Sequence, residues 1–161
     1  MRVLGCLDGT NARQIGLAAQ MFSATQSLTV AILTVIDAGP RHSLDSVRQR
    51  FLRPPIHHQP ISQQMLDAET EAAHSILNAG LEYMKTAETL LRQGRPELEI
   101  VNAAAEWRAD VILVCARAEY GEPPTIGPHS VGHVARFVLD HAPCPVLLVR
   151  PLAREQFPIT R

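Results

Sequence analysis

Two histidines four positions apart, His129 and His133, stand near the start of a helical stretch, with Arg117 and Arg136 in the same neighbourhood. On a helix that spacing puts both imidazoles on one face. Such a set suits an anion, which a helix N-terminus also favours. It suits a metal ion less well, because no third ligand follows at a convincing spacing. A solvated helix start carrying polar residues has the same pattern. Cys115 closes an apolar run. A thiol there either reacts or packs, and reaction needs a lowered pKa. Asp8 heads Asp8-Gly9-Thr10, a turn that presents a carboxylate and also supplies a helix cap. His57 and His58 sit in a proline-rich connection and read as solvated, and the position of His141 suits a helix C-terminus. The chain has no Gly-x-Ser-x-Gly, no Cys beside an ordered His and no carboxylate pair at a defined strand end. Those are the usual marks of nucleophilic and glycosidic catalysts, so no catalytic residue and no enzyme is expected.

The elements that position these residues alternate. Arg2 to Leu7 is a short apolar strand, and Thr10 to Ser23 has helical spacing with Ile15, Ala18, Ala19 and Phe22 on one face. Leu28 to Ile36 is apolar throughout, as a strand covered on both sides would be. Residues 38–60 hold Gly39, Pro40, Pro54, Pro55 and Pro60 and read as a long connection, with a short helical piece around Ser43 to Phe51. Ile61 to Met84 is helical, and Thr86 to Arg92 is a weakly patterned strand. Gly94-Arg95 is a turn, and Pro96 opens a helix to about Trp107 with Ile100, Ala104 and Trp107 inward.

Val111 to Cys115 is the clearest strand. A loop over 116–130 precedes a helix from Ser130 to His141, whose inward residues are Val131, Val134, Val138 and Leu139. Val146 to Val149 is the last strand, and 151–161 is a polar tail. Strands alternating with helices predict an α/β three-layer sandwich: a five-stranded parallel sheet, Rossmann-like and doubly wound, with helices on both faces. Ligands of such folds sit beyond the carboxyl ends of the strands, where strand order reverses. That rule gathers Asp8 to Thr10, Val35 to Asp37 and the 116–130 loop around one crevice.

Composition limits the partners. The chain has 161 residues and a formal net charge of -1, with no clustered Lys and Arg to meet nucleic acid or an anionic membrane. Lys85 is its only lysine. Aromatics make up 4%, so Leu, Ile, Val, Ala and Met must build the core. Three widely spaced cysteines, Cys6, Cys115 and Cys144, make no disulfide framework and read as buried free thiols. Arg2 is followed by a short strand-like run and then Asp8, unlike a signal peptide. No apolar run approaches the roughly 18 residues of a membrane span. The expected compartment is the cytoplasm.

Several segments together resemble the universal stress protein family, in the family's order. Asp8-Gly9-Thr10 resembles its Asp-Gly-Ser, and Thr34-Val35-Ile36-Asp37 its His-Val-Ile-Asp. Gly94-Arg95-Pro96-Glu97 with Ile100 resembles its Gly-x-Pro helix entry. Ala109 to Val114 resembles its Ala-Asp-Leu-Ile-Val strand, and His141 to Arg150 matches its closing strand almost letter for letter. The resemblance covers residues 1–150 as one domain. It implies a regulatory or binding module that forms a homodimer through the edge strand 146–149, with a protein partner it does not identify.

It also implies a nucleotide crevice. Asp8 resembles the acid against the nucleoside and Val35 the residue whose backbone reads adenine, with Gly9 and Thr10 beside them. Nucleotide-binding members carry Gly-x2-Gly-x9-Gly-Ser/Thr, whose glycines bring backbone N–H groups to phosphate oxygens ahead of a helix N-terminus. Here Cys115 and Ala118 stand at the first two glycines, Gly132 at the third, and His133 at the Ser/Thr. Ala135 stands where a small hydroxyl is expected, and the loop is four residues longer. Losing two charged hydrogen bonds weakens binding by about 3–6 kcal/mol, on the order of a hundredfold to ten-thousandfold. The implied phosphate side is therefore Cys115, Arg117, Gly132, His133 and Val134, with ATP binding lost or weak. AMP or another adenine nucleotide is the alternative ligand. Hydrolysis would be slow at most, since the positioned cation and water-orienting group of phosphoryl transfer are not evident.

Overall fold

In the two longest buried strands, neighbouring residues send their side chains to opposite faces of a sheet, as extended backbone requires. In the computed structural model, which describes residues 1–25, 27–37, 63–116 and 130–150, that alternation separates two cores. Leu4, Leu33, Ile112 and Val114 pack on one face with Ile100, Ala103, Ala104 and Val138. Val3, Ile32 and Leu113 pack on the other with Ile15, Ala18, Ala19 and Leu77.

The elements are β1 (Arg2–Leu7), α1 (Ala12–Gln20), β2 (Thr29–Asp37), α2 (Gln63–Tyr83), β3 (Glu88–Gly94), α3 (Pro96–Trp107), β4 (Val111–Cys115), α4 (His133–His141) and β5 (Val146–Val149). The five strands are ordered β3-β2-β1-β4-β5, and every pairing is parallel. Chain order reverses between β1 and β4, so the carboxyl ends of those two strands open a crevice. The predicted doubly wound α/β sandwich is the observed fold.

Helix α2 lies close against the sheet because Gly80 has no side chain. A Cβ there would fall 2.6 Å from Leu7 Cδ1 and 2.9 Å from Ile32 Cδ1.

Four local expectations change. Helix α1 starts at Ala12, not Thr10, and its N-cap is Asn11, with no side-chain cap bond. The Asp8 carboxylate is turned back to Thr10 instead, so it does not cap the helix. Helix α4 starts at His133 rather than Ser130, because Gly132 before it has φ 84 and ψ 158, outside helical space. Its buried residues are Ala135 and Val138, and Val131 and Val134 pack against the same core as expected; Leu139, one residue further round, is 42% exposed. Of the three free cysteines only Cys6 is buried, while Cys115 and Cys144 are half-buried. Strand β3, faint in the sequence, pairs with β2 from Ala31↔Glu88 to Asp37↔Gly94. As an edge strand it is nowhere fully buried, which explains its weak pattern. The expected helical piece at 43–51 lies outside the described residues.

Candidate functional site

The end of β1 is fixed by a residue that sequence reasoning passed over. Asn11 is only 6% exposed. Its Oδ1 accepts from the Asp8 backbone N–H at 3.1 Å, and its Nδ2 donates to the Cys6 carbonyl at 3.1 Å. One amide thus satisfies both edges of the turn leaving the strand, where the sheet no longer can. Asp8 is then held by its own turn: Oδ1 accepts from the Thr10 N–H and from the Thr10 hydroxyl, both at 2.9 Å. The available signal was an asparagine directly before a helical run, but Asp-Gly-Thr drew the cap assignment.

Beyond these strand ends lies a cavity of about 390 Å³. Strands supply Cys6, Leu7, Leu33, Val35, Val114 and Cys115 to its walls, the β1–α1 turn supplies Asp8 and Asn11, and helix starts supply Pro96, Ile100 and residues 131–135. It is a mostly apolar pocket with a few polar groups, at the low end of small-molecule site volumes.

Six residues singled out from sequence share its walls: Asp8, Val35, Cys115, Gly132, His133 and Val134. Gly9 and Thr10 are not wall residues; Thr10 serves to hold Asp8. Arg117 and His129 lie outside the described residues.

The electrostatics differ around the rim. Burial, reinforced by the Asp8 carboxylate, pushes the Cys115 thiol up to about 11, and a hydrogen bond with Asn11 offsets part of this. Cys115 is therefore a neutral thiol at physiological pH and a poor nucleophile. Burial also pushes the Cys6 thiol up, with Cys115 and Cys144 adding to it.

Across the cavity, α3 and α4 begin side by side. Glu97, in the first turn of α3, is 5% exposed. Its Oε1 accepts from Arg95 Nε at 2.8 Å and from Arg95 Nη2, and lies 3.7 Å from His133 Nε2. Burial alone would raise the Glu97 carboxyl. A backbone N–H and the Arg95 guanidinium outweigh it, with His133 assisting, and hold the group below the usual carboxylate range. Among the described residues no three His, Cys, Asp or Glu side chains gather as a metal site.

A protein-family model matches residues 1–150, and its description is the universal stress protein family. The chain belongs to the universal stress protein family. A Thermus aquaticus relative, "Universal stress protein in QAH/OAS sulfhydrylase 3'region", is 31% identical over 100 residues, covering 62% of this chain and 68% of that protein. Universal stress protein UspA from Lactobacillus plantarum superimposes with a TM-score of 0.67 at 22% identity, covering 93% of this chain and 97% of the other. An Arabidopsis thaliana universal stress protein family member, solved with AMP bound, gives a TM-score of 0.57 at 16% identity, covering 99% and 96%. These two structures share the fold of this universal stress protein. No described helix is long and apolar enough to cross a membrane.

Proposed function

We propose that this universal stress protein is a non-catalytic binding module that takes an adenosine-bearing ligand in the β1/β4 crevice and holds ATP poorly. The observation that carries the reading is the meeting of Asp8, Val35 and Gly132 on one cavity of about 390 Å³ at the point where strand order reverses. Asp8 suits a ribose hydroxyl, which a fixed carboxylate oxygen accepts well. Val35, at the end of β2, offers an apolar wall and a strand-end backbone for a purine edge. The AMP carried by the Arabidopsis family member supports the choice of ligand class. On the other side, His133 stands where the resemblance expects a small hydroxyl, which removes a donor from the phosphate position.

Catalysis is not part of the reading. Cys115, the thiol on the wall at the end of β4, is protonated at neutral pH.

Isothermal titration calorimetry with adenosine, AMP and ATP tests the function. Heat with adenosine or AMP, and at least tenfold weaker binding of ATP, is the expected result. Absence of heat with all three overturns it, and tight ATP binding overturns the weakened phosphate side.

A second property concerns assembly. Strand β5 ends the sheet, and its four residues Val146, Leu147, Leu148 and Val149 are all half-buried. An apolar edge of this kind favours a partner strand, and a homodimer paired through β5 accounts for it. Light scattering at micromolar concentration is expected to give the dimer mass; a monomer mass contradicts it.

A further inference from the structure

Beside the phosphate side of the crevice stands an anion from the protein itself, the Glu97 carboxylate next to the wall residue His133. Helices α3 and α4 both direct their N-termini to this rim, Pro96 from one and Gly132 and His133 from the other lining the cavity. Positive helix ends and nearby cations are what a phosphate seeks. Here a carboxylate already engages the Arg95 guanidinium and faces the His133 imidazole. A single oxygen of Glu97 receives Arg95 through Nε at 2.8 Å and through Nη2, with His133 Nε2 3.7 Å away. That oxygen belongs to a residue 5% exposed, whereas the His133 side chain is 76% exposed. The anion is thus the fixed member of the cluster and the imidazole the movable one. Asp8 places a second carboxylate on the cavity wall.

We infer that Glu97 is a specificity-determining residue: from beside the crevice it engages Arg95 and His133, the groups that would hold an anion there, so that the protein prefers an uncharged nucleoside over the corresponding nucleotides. This rests on the adenosine-binding reading and names its ligand class. An incoming phosphate must compete with Glu97 for Arg95 and His133 and approach a buried like charge, and like-charge juxtaposition is strongly disfavoured. A nucleoside meets Asp8, Val35 and the apolar walls without that conflict. Glu97 acts through Arg95 and His133 and is not itself a wall residue.

The test is the ratio of AMP to adenosine dissociation constants, measured by calorimetry on the full chain. In the wild type, adenosine binds more tightly. Glu97→Gln keeps the side-chain shape but removes the charge, freeing Arg95 and His133; the ratio then falls by roughly tenfold or more. A second measurement does not depend on any variant. Added salt screens repulsion, so the wild-type ratio falls between low and high ionic strength; a phosphate held by attraction makes it rise. Tighter binding of AMP than adenosine by the wild type overturns the inference, as does an unchanged ratio in Glu97→Gln or a ratio that rises with salt. Each of these leaves the crevice reading standing. No binding of either compound overturns that reading and this inference together.

Discussion

The two sides of the crevice are built in different ways. The Asp8 side grows out of the sheet. Its backbone continues β1, and Asn11 fixes it through hydrogen bonds to Asp8 and Cys6. The His133 side grows out of two helix starts, and its geometry is set by one glycine and one shared carboxylate oxygen. The first side is anchored by Asn11 through neutral hydrogen bonds, which pH and salt affect little, and it carries an exposed carboxylate, Asp8, held by Thr10. The second is held by charges near solvent and responds to both. A binding module can therefore keep its hold on one part of a ligand while its hold on another part changes sign.

The largest expected effect sharpens the sheet-borne side. Asn11→Ala leaves the Cys6 carbonyl and the Asp8 N–H without their partner. Unsatisfied buried groups cost about 1–3 kcal/mol each, so thermal unfolding is expected to show a loss of roughly 2–6 kcal/mol together with loss of adenosine binding. Stability within 0.5 kcal/mol of wild type, on the order of a neutral surface change, would mean that Asn11 does not organise this turn.

Gly132→Ala comes next. The φ 84, ψ 158 conformation of Gly132 is one that side-chain-bearing residues hardly adopt. The substitution should cost about 1–3 kcal/mol in denaturant unfolding and displace the start of α4.

The third prediction separates the sides by pH. The Glu97 carboxyl is lower in the folded state than its ordinary value of 4.5. Its stabilising contribution is therefore complete above pH 4.5 and is lost as pH falls below that value, through the folded-state pKa. Unfolding followed over this acid range should show a shallower decline in Glu97→Gln than in the wild type. Parallel curves would contradict the Arg95–Glu97–His133 arrangement.

The smallest effect is kinetic. With its pKa near 11, Cys115 should be alkylated slowly at neutral pH and faster as pH rises toward 11. Adenosine should slow the alkylation further. Mass spectrometry of the labelled peptide reads both outcomes.

Much of the fold was legible because buried strands leave a strong signal. Val111–Cys115 and Thr29–Asp37 are apolar without a break, and Pro96 marks a helix start in sequence as it does in space. Strand β3 was faint because an edge strand with one half-covered face needs few apolar residues. The start of α4 was misjudged because hydrophobic spacing runs through Val131 while Gly132 breaks the backbone; periodicity reports side chains and not φ.

In the site, Asp8, Val35, Gly132 and His133 were legible from resemblance and from strand ends. Asn11 was not, since a side chain whose value lies in two backbone partners has no sequence pattern of its own. Glu97 was equally hidden. Its meaning depends on His133, a residue on another helix brought beside it only by the crossover between β4 and β5.

The central claim is that adenosine occupies the cavity between the ends of β1, β2 and β4. The most direct measurement is a backbone amide chemical-shift titration with adenosine. The account predicts the largest shifts at Asp8, Asn11, Val35, Cys115 and Gly132, with Met65 and Tyr83 near the two ends of α2 unmoved. Shifts confined to α2 or to β5, or no shifts at millimolar adenosine, would contradict it.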